Sequence, residues 1–86
     1  MKIKKDLALS VTTTAQDVSI EFRDFLIVNN SEATVYFREK EIGGQAVTEE
    51  TGFALQPKSM IPYPLTASTL SIIGSAAADV RILFVD

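Results

Sequence analysis

Apolar residues recur along this chain at a period of two or in short solid runs, which leaves little room for an amphipathic helix. Val, Ile and Thr together supply 23 of the 86 residues, and these β-branched types pack well in strands. The pattern therefore predicts an all-β fold.

Turn-forming residues interrupt the chain at short intervals. They fall at Asn29-Asn30-Ser31, Gly43-Gly44, Glu50-Thr51-Gly52, Gln56-Pro57-Lys58, Pro62-Tyr63-Pro64 and Gly74-Ser75. The strands predicted between them are Leu7 to Thr13, Val18 to Phe22, Phe25 to Val28, Ala33 to Glu39, Ala46 to Thr48, Phe53 to Leu55, Ser59 to Ile61, Thr69 to Ile73 and Val80 to Val85. This spacing is typical of a small antiparallel β-sandwich or jelly roll with about 7 to 9 short strands.

One predicted strand alternates clearly between apolar and polar residues. Val35 and Phe37 are expected to face the core. Thr34, Tyr36 and Arg38 are expected to face water. The pattern indicates a strand with one buried face.

Two other runs, Phe25 to Val28 and Ile82 to Val85, are apolar on both faces. Such a run fits a central strand, or a strand covered by another subunit. A sheet pair in so small a domain covers few positions on both sides, so two such runs favour an oligomer.

A third apolar stretch contains Pro62 and Pro64, which cannot lie inside a central ladder and so indicate an edge strand or a connection. If a protein interface exists, we expect it to include residues of this stretch and the outward residues of the final strand. The predicted interface residues are Met60, Ile61, Tyr63, Leu65, Leu83 and Val85.

The length allows a single domain, residues 1–86, with residues 1–6 expected to form a flexible arm. A domain of this size buries roughly 60 to 65% of the surface of its unfolded chain, and its stability is marginal without disulfides, a metal or a partner subunit. Because the chain has no Cys and no His, self-association remains as the stabilising option.

The absence of Cys, His and Trp removes the usual zinc sites, haem ligation and His- or Cys-based catalysis. Lys58-Ser59 is an adjacency without further support for a Ser-Lys pair, and Gly43-Gly44 fits a hairpin turn better than a phosphate loop. We expect no catalytic residues, no cofactor and no metal.

The net charge is −3, which disfavours nucleic acid and anionic membranes as partners. The imbalance lies between Glu32 and Glu50, where five acids accompany two bases. A solvated loop explains this segment, whereas a contact with a basic surface and weak Ca²⁺ binding are the functional alternatives.

The first residues, Met1 to Lys5, imitate the basic region of a signal peptide, but Asp6 follows at once and the apolar stretch after it is short. No segment approaches the roughly 18 to 20 apolar residues of a membrane span. We expect an intracellular, soluble product.

The order of several short motifs resembles that of small structural proteins of tailed-bacteriophage virions. The motifs are Leu26 to Asn30 followed by Val35 to Phe37, then Val47-Thr48 with Gly52 to Pro57, and the closing Ala78 to Leu83. The resemblance covers roughly residues 26 to 85. It implies a short β-sandwich that serves as a capsid decoration, head-spike or collar component without catalytic residues.

The same resemblance implies a small ring or trimer that is attached to a larger lattice of capsid or neck protein. Family members often have Gly after the Pro of the central turn, where this chain has Lys58. The alternatives are a carbohydrate- or peptide-binding module that uses Tyr36 and Tyr63, and an enzyme or enzyme inhibitor.

Overall fold

The computed structural model describes residues 3–20, 24–40, 44–64 and 69–85. These residues form eight strands and no helix. The strands are β1 (Ile3–Val11), β2 (Gln16–Ser19), β3 (Asp24–Asn29), β4 (Val35–Lys40), β5 (Phe53–Leu55), β6 (Met60–Pro64), β7 (Thr69–Gly74) and β8 (Ala78–Val85).

The strands make two antiparallel sheets of four, which confirms the predicted β-sandwich. Sheet I has the order β1-β8-β3-β6, and sheet II has the order β2-β7-β4-β5. The first strand pairs with the last, β2 with β7, β3 with β6, and β4 with β5. This nesting of pairs across two sheets is the strand order of a jelly roll.

The core lies between the sheets and is built from alternate residues of the strands. It consists of Val11, Val18, Ile20, Phe25, Ile27, Val35, Phe37, Leu55, Leu70, Ile72, Ala78, Val80, Ile82 and Phe84. Phe25 and Phe84 face each other across β3 and β8, with ring centroids 6.0 Å apart. The 17 Å short dimension of the molecule matches two sheets stacked about 10 Å apart.

The structure confirms the alternation predicted for β4, because Val35 and Phe37 are fully buried and Arg38 is exposed. It also places both two-faced apolar runs in central strands, since β3 and β8 each have a neighbour on both sides. The proline-containing strand β6 lies at an edge of sheet I, as expected.

Three sequence expectations differ from the structure. The turn predicted at Pro62-Tyr63-Pro64 is absent, because these residues belong to β6 and pair with β3. The strand predicted at Ala46 to Thr48 is absent, and this stretch is an irregular segment that packs over sheet II. β1 begins at Ile3, so residues 3–6 of the expected arm belong to a strand that pairs with β8. The long register with β8 accounts for this early start.

The side chain of a buried asparagine links the end of β3 in sheet I to the end of β5 in sheet II. Asn29 is fully buried at the end of β3, and its Nδ2 lies 2.7 Å from the Ala33 carbonyl and 3.1 Å from the Leu55 carbonyl. Its Oδ1 accepts a hydrogen bond from the Ser31 hydroxyl at 2.6 Å. Because both ends of the amide have partners, Asn29 can be buried without the usual cost of an unsatisfied polar group.

Candidate functional site

The outward side of sheet I carries a continuous set of apolar residues, which we call the apolar face. Its members are Leu26, Val28, Met60, Pro62, Leu83 and Val85. They alternate along β3, β6 and β8 with the residues that face the core. The apolar face is the strongest candidate for a functional surface in the described part of the chain.

The strand register groups these residues into rows. Leu83 pairs with Leu26, and Leu26 pairs with Pro62 on the edge strand. In the next row, Val28 pairs with Met60. Directly paired residues on one face of a sheet lie within contact distance. Diagonal neighbours in adjacent rows lie about 7 to 8 Å apart, within reach of long side chains, so the two rows form one patch.

Solvent reaches the apolar face, most of all at its β6 edge. Met60 is 56% exposed and Pro62 is also exposed, whereas Leu26, Val28 and Leu83 are half-buried. By contrast, the core-facing side chains of the same central strands, Phe25 and Ile82, are buried. Exposed apolar area of this kind is typical of protein interaction sites.

Charged residues on β1, β3 and β8 border the apolar face, and we call them the acidic rim. Asp6 lies on β1 and pairs with Leu83. Asp24 lies at the start of β3, and Asp79 and Arg81 lie on β8. Arg81 Nε donates to Asp79 Oδ1 at 3.3 Å. These three carboxylates and one guanidinium sum to a charge of −2, and the ammonium of Lys58 acts on Asp79 from outside this group.

The pKa of Asp79 is lowered below its ordinary value. The hydrogen bond from Arg81 is the largest cause, and the hydrogen bond from Asn30 Nδ2 at 3.2 Å is the next. Both donors stabilise the charged form of the carboxylate. The acidic rim therefore keeps this negative charge into acidic solution.

Part of the outward side of sheet II, around Ser71, is covered by the chain itself, whereas Arg38 and Ala54 on the same side are exposed. Residues 44–52, which we call the covering segment, fold back over it, and Val47 is only 1% exposed there. The Val47 amide donates to Ser71 Oγ at 3.0 Å, and Ser71 is fully buried. Gly52 makes this close approach possible, because a Cβ at Gly52 would lie 2.6 Å from Val47 Cγ2.

A shallow cavity of about 410 Å³ lies where the covering segment meets the end of β7. It is lined by Thr13, Thr48, Glu49, Glu50, Ile73, Gly74 and Ser75. Its volume is within the range of small-molecule sites. Hydroxyl groups, two carboxylates and one apolar side chain could recognise a polar ligand there.

The predicted interface residues divide between several locations. Met60, Leu83 and Val85 lie on the apolar face. Ile61 packs against the core on the opposite side of β6. Tyr63 belongs to β6 at the position paired with Phe25.

Leu65, the remaining predicted interface residue, is outside the described residues. Leu26, Val28 and Pro62 belong to the apolar face but were not predicted as interface residues. The sequence does indicate that Leu26 and Val28 could lie in an interface, because both belong to a run that is apolar on both faces.

The acids between Glu32 and Glu50 do not form one cluster in the part of the chain that the structure describes. Glu32 Oε1 lies 3.9 Å from Lys58 Nζ. Glu39 belongs to β4, and Glu49 and Glu50 lie in the turn beside the cavity. Within the described ranges, no group of three or more metal-ligating side chains occurs. Those ranges also contain no helix suited to crossing a membrane.

Comparison with known proteins found no protein family, no curated protein and no solved structure that matches this chain.

Proposed function

We propose that this protein is a non-enzymatic structural subunit of a phage virion, of the capsid decoration, cement or head-spike type. In this proposal it is made in the host cytoplasm, self-associates and docks through its apolar face on a larger lattice of capsid or neck protein. The single observation that carries the proposal is the apolar face. The jelly-roll strand order, an architecture that is found in viral capsid proteins, supports it together with the motif resemblance described above.

The outward side of sheet I is large enough for a stable protein contact, with the apolar face at its centre. The molecule measures 31 × 31 Å in the two directions across its 17 Å short dimension. A standard interface needs about 800 Å² on each partner, which a sheet face of this extent can supply. Docking would also remove Met60 and Leu83 from water, which favours association.

The acidic rim points to the chemistry of the docking partner. Two copies placed face to face would bring two rims of charge −2 together, which disfavours self-association through this surface. A partner that has an apolar centre and a rim of Lys or Arg would complement both features. We therefore assign the apolar face to the lattice protein rather than to a second copy.

The first test is the composition of particles from cells that make the protein. Particles purified on a density gradient should contain the chain at a fixed ratio to their main coat protein, as measured by quantitative mass spectrometry. Abundance in the cell together with absence from the particles would overturn the proposal.

A variant of the apolar face tests the docking surface. Leu83→Asp should remain folded by circular dichroism and should lose its association with particles, because it places a charge at the centre of the contact. Size-exclusion chromatography separates this outcome from unfolding. Because Leu83→Asp also faces Asp6 on β1, the outcome that would overturn docking through this surface is a folded variant that still associates with particles.

A second candidate function, a carbohydrate- or peptide-binding module, is favoured by the cavity beside the covering segment. Tyr36, one of the two tyrosines considered for this role, pairs with the cavity residue Ile73. A glycan array and a peptide library provide the test. Binding that is lost in a Glu49→Gln/Glu50→Gln variant would support this function, and no binding to either would remove it.

A further inference from the structure

The four sheet edges formed by the described strands differ in their capacity to pair with another chain. β6 contains Pro62 and Pro64, which lack the amide donors of a ladder. β2 has only four residues and β5 only three. β1 has nine residues without Pro or Gly, and among the described strands it pairs only with β8; its register shifts between Ile3 and Lys5 and is regular from Lys5 to Val11.

The core side of β1 is incompletely covered along this edge. Leu7 and Leu9 pack against the core but stay half-buried, whereas Val11 at the end of the same strand is 1% exposed. A further strand beside β1 would cover both leucines and extend the ladder. Long edge strands of this kind are natural templates for pairing with another chain.

We propose that β1 pairs antiparallel with β1 of a second copy, about a two-fold axis at Ala8, so that two copies of sheet I become one sheet of eight strands. This inference rests on the proposed function, because it identifies the self-association that the proposed subunit requires. It gives a dimer, since an isologous contact closes at two copies.

The central residues of β1, from Asp6 to Ser10, are self-complementary in this register. Leu7 lies opposite Leu9 of the second copy on the core side, and Asp6 lies opposite Ser10 on the outward side. The small exposed Ala8 lies opposite itself on the axis. An axis at Asp6 would instead place two carboxylates directly opposite each other, which is unfavourable.

This pairing has a consequence for docking. Paired residues in an antiparallel ladder share a face, so the apolar faces of the two copies would lie on the same side of the joined sheet. The dimer would therefore present two docking surfaces to one lattice. Two linked contacts bind far more tightly than either contact alone.

Single cysteine variants test the register, because the chain contains no Cys of its own. Ala8→Cys should form a covalent dimer under mild oxidation, since directly paired residues have Cα atoms about 4.5 to 5.5 Å apart, within disulfide reach. Ser10→Cys is the matched control, because its two copies would lie about 13 Å apart. Equal crosslinking of the two variants, or none in either, would overturn the proposed pairing.

Charge variants test the same contact without oxidation. Ala8→Lys places two ammonium groups opposite each other and should raise the dimer dissociation constant about fivefold or more, as measured by light scattering over a concentration series. Ser10→Lys should keep or strengthen the dimer, because it faces Asp6 of the second copy. Both side chains are exposed, so the monomer fold should be preserved, and circular dichroism checks this.

Failure of this inference is distinguishable from failure of the proposed function. A wild-type chain that stays monomeric at every concentration would overturn β1 pairing. Particle association of the wild type and its loss in Leu83→Asp would still support docking through the apolar face. Dimerisation without particle association would support β1 pairing and overturn the docking.

Discussion

The outward faces of the two sheets differ in how far the chain itself shields them from solvent. On sheet II, the covering segment buries Val47 against Ser71, so that the centre of this face is closed within one molecule. On sheet I, Val28 and Met60 remain partly or largely open to solvent. The contrast shows that the chain covers the centre of one face itself and leaves apolar side chains of the other face in contact with solvent, the surface that we propose for docking.

The difference between the two faces can be tested by placing the same charge on each face and measuring the loss of stability. Val47→Asp should lower the free energy of unfolding by about 3 kcal/mol or more, because it puts a carboxylate in a closed site beside Ser71. Val28→Asp should cost only about 1 kcal/mol, the range of strand propensities, because its side chain can reach water. Urea denaturation of both variants measures the difference, and equal losses would contradict the comparison.

Gly52→Ala tests how tightly the covering segment is held. The added methyl would lie 2.6 Å from Val47 Cγ2 and 3.0 Å from Tyr36 Cβ, so we expect a loss of about 1 to 3 kcal/mol by overpacking. In a Val47→Ala background the same change should cost less, because one of the clashing atoms is gone. Full additivity of the two changes would show that the segment does not pack as described.

Lys58→Gly tests the backbone conformation of the turn that leads into β6, the exposed edge strand of sheet I. Lys58 has a φ of 58°, a left-handed conformation that Gly adopts without strain. The substitution should raise the free energy of unfolding by about 0.5 to 1 kcal/mol. Lys58→Ala is the control for the lost side chain and its 3.9 Å approach to Glu32, and it should give no gain.

The smallest expected effect concerns the acidic rim. Since the hydrogen bonds from Arg81 and Asn30 lower the pKa of Asp79, the folded state binds a proton at this carboxylate less readily than the unfolded chain does. The resulting stability is present above the unfolded pKa of about 3.9 and is lost as the pH falls through the lower folded value. Asp79→Asn should therefore be less stable than wild type near neutral pH, and the difference should disappear in acid. A pH-independent difference in urea titrations would contradict this assignment.

Much of the fold follows from local sequence patterns. The alternation around Val35 and Phe37 fixes their inward side, and the prolines of β6 place that strand at an edge. The pairing of β1 with β8 joins the two ends of the chain, and no local pattern encodes so distant a contact. The jelly roll therefore remained one of two predicted architectures until the register was known.

The apolar face was only partly predictable because side chains alternate in a strand. Met60 and Ile61 are adjacent, so only one of them can face outward, and the choice depends on a register that the sequence does not reveal. Val47 was predicted to lie in a strand because Ala46 to Thr48 fills the interval between two turn signals, Gly43-Gly44 and Glu50-Thr51-Gly52. Its burial depends instead on Ser71 and Gly52, which are distant from one another in the sequence.

Incorporation of two matched variants into particles tests the central claim most directly. Val28→Asp alters the apolar face, and Ala54→Asp adds the same charge at an exposed position of β5 in sheet II. Each variant would be produced in place of the wild-type chain, and its amount in gradient-purified particles would be measured by mass spectrometry. We expect Ala54→Asp to be incorporated like wild type and Val28→Asp to be excluded while still folded; equal incorporation of the two variants would contradict docking through the apolar face.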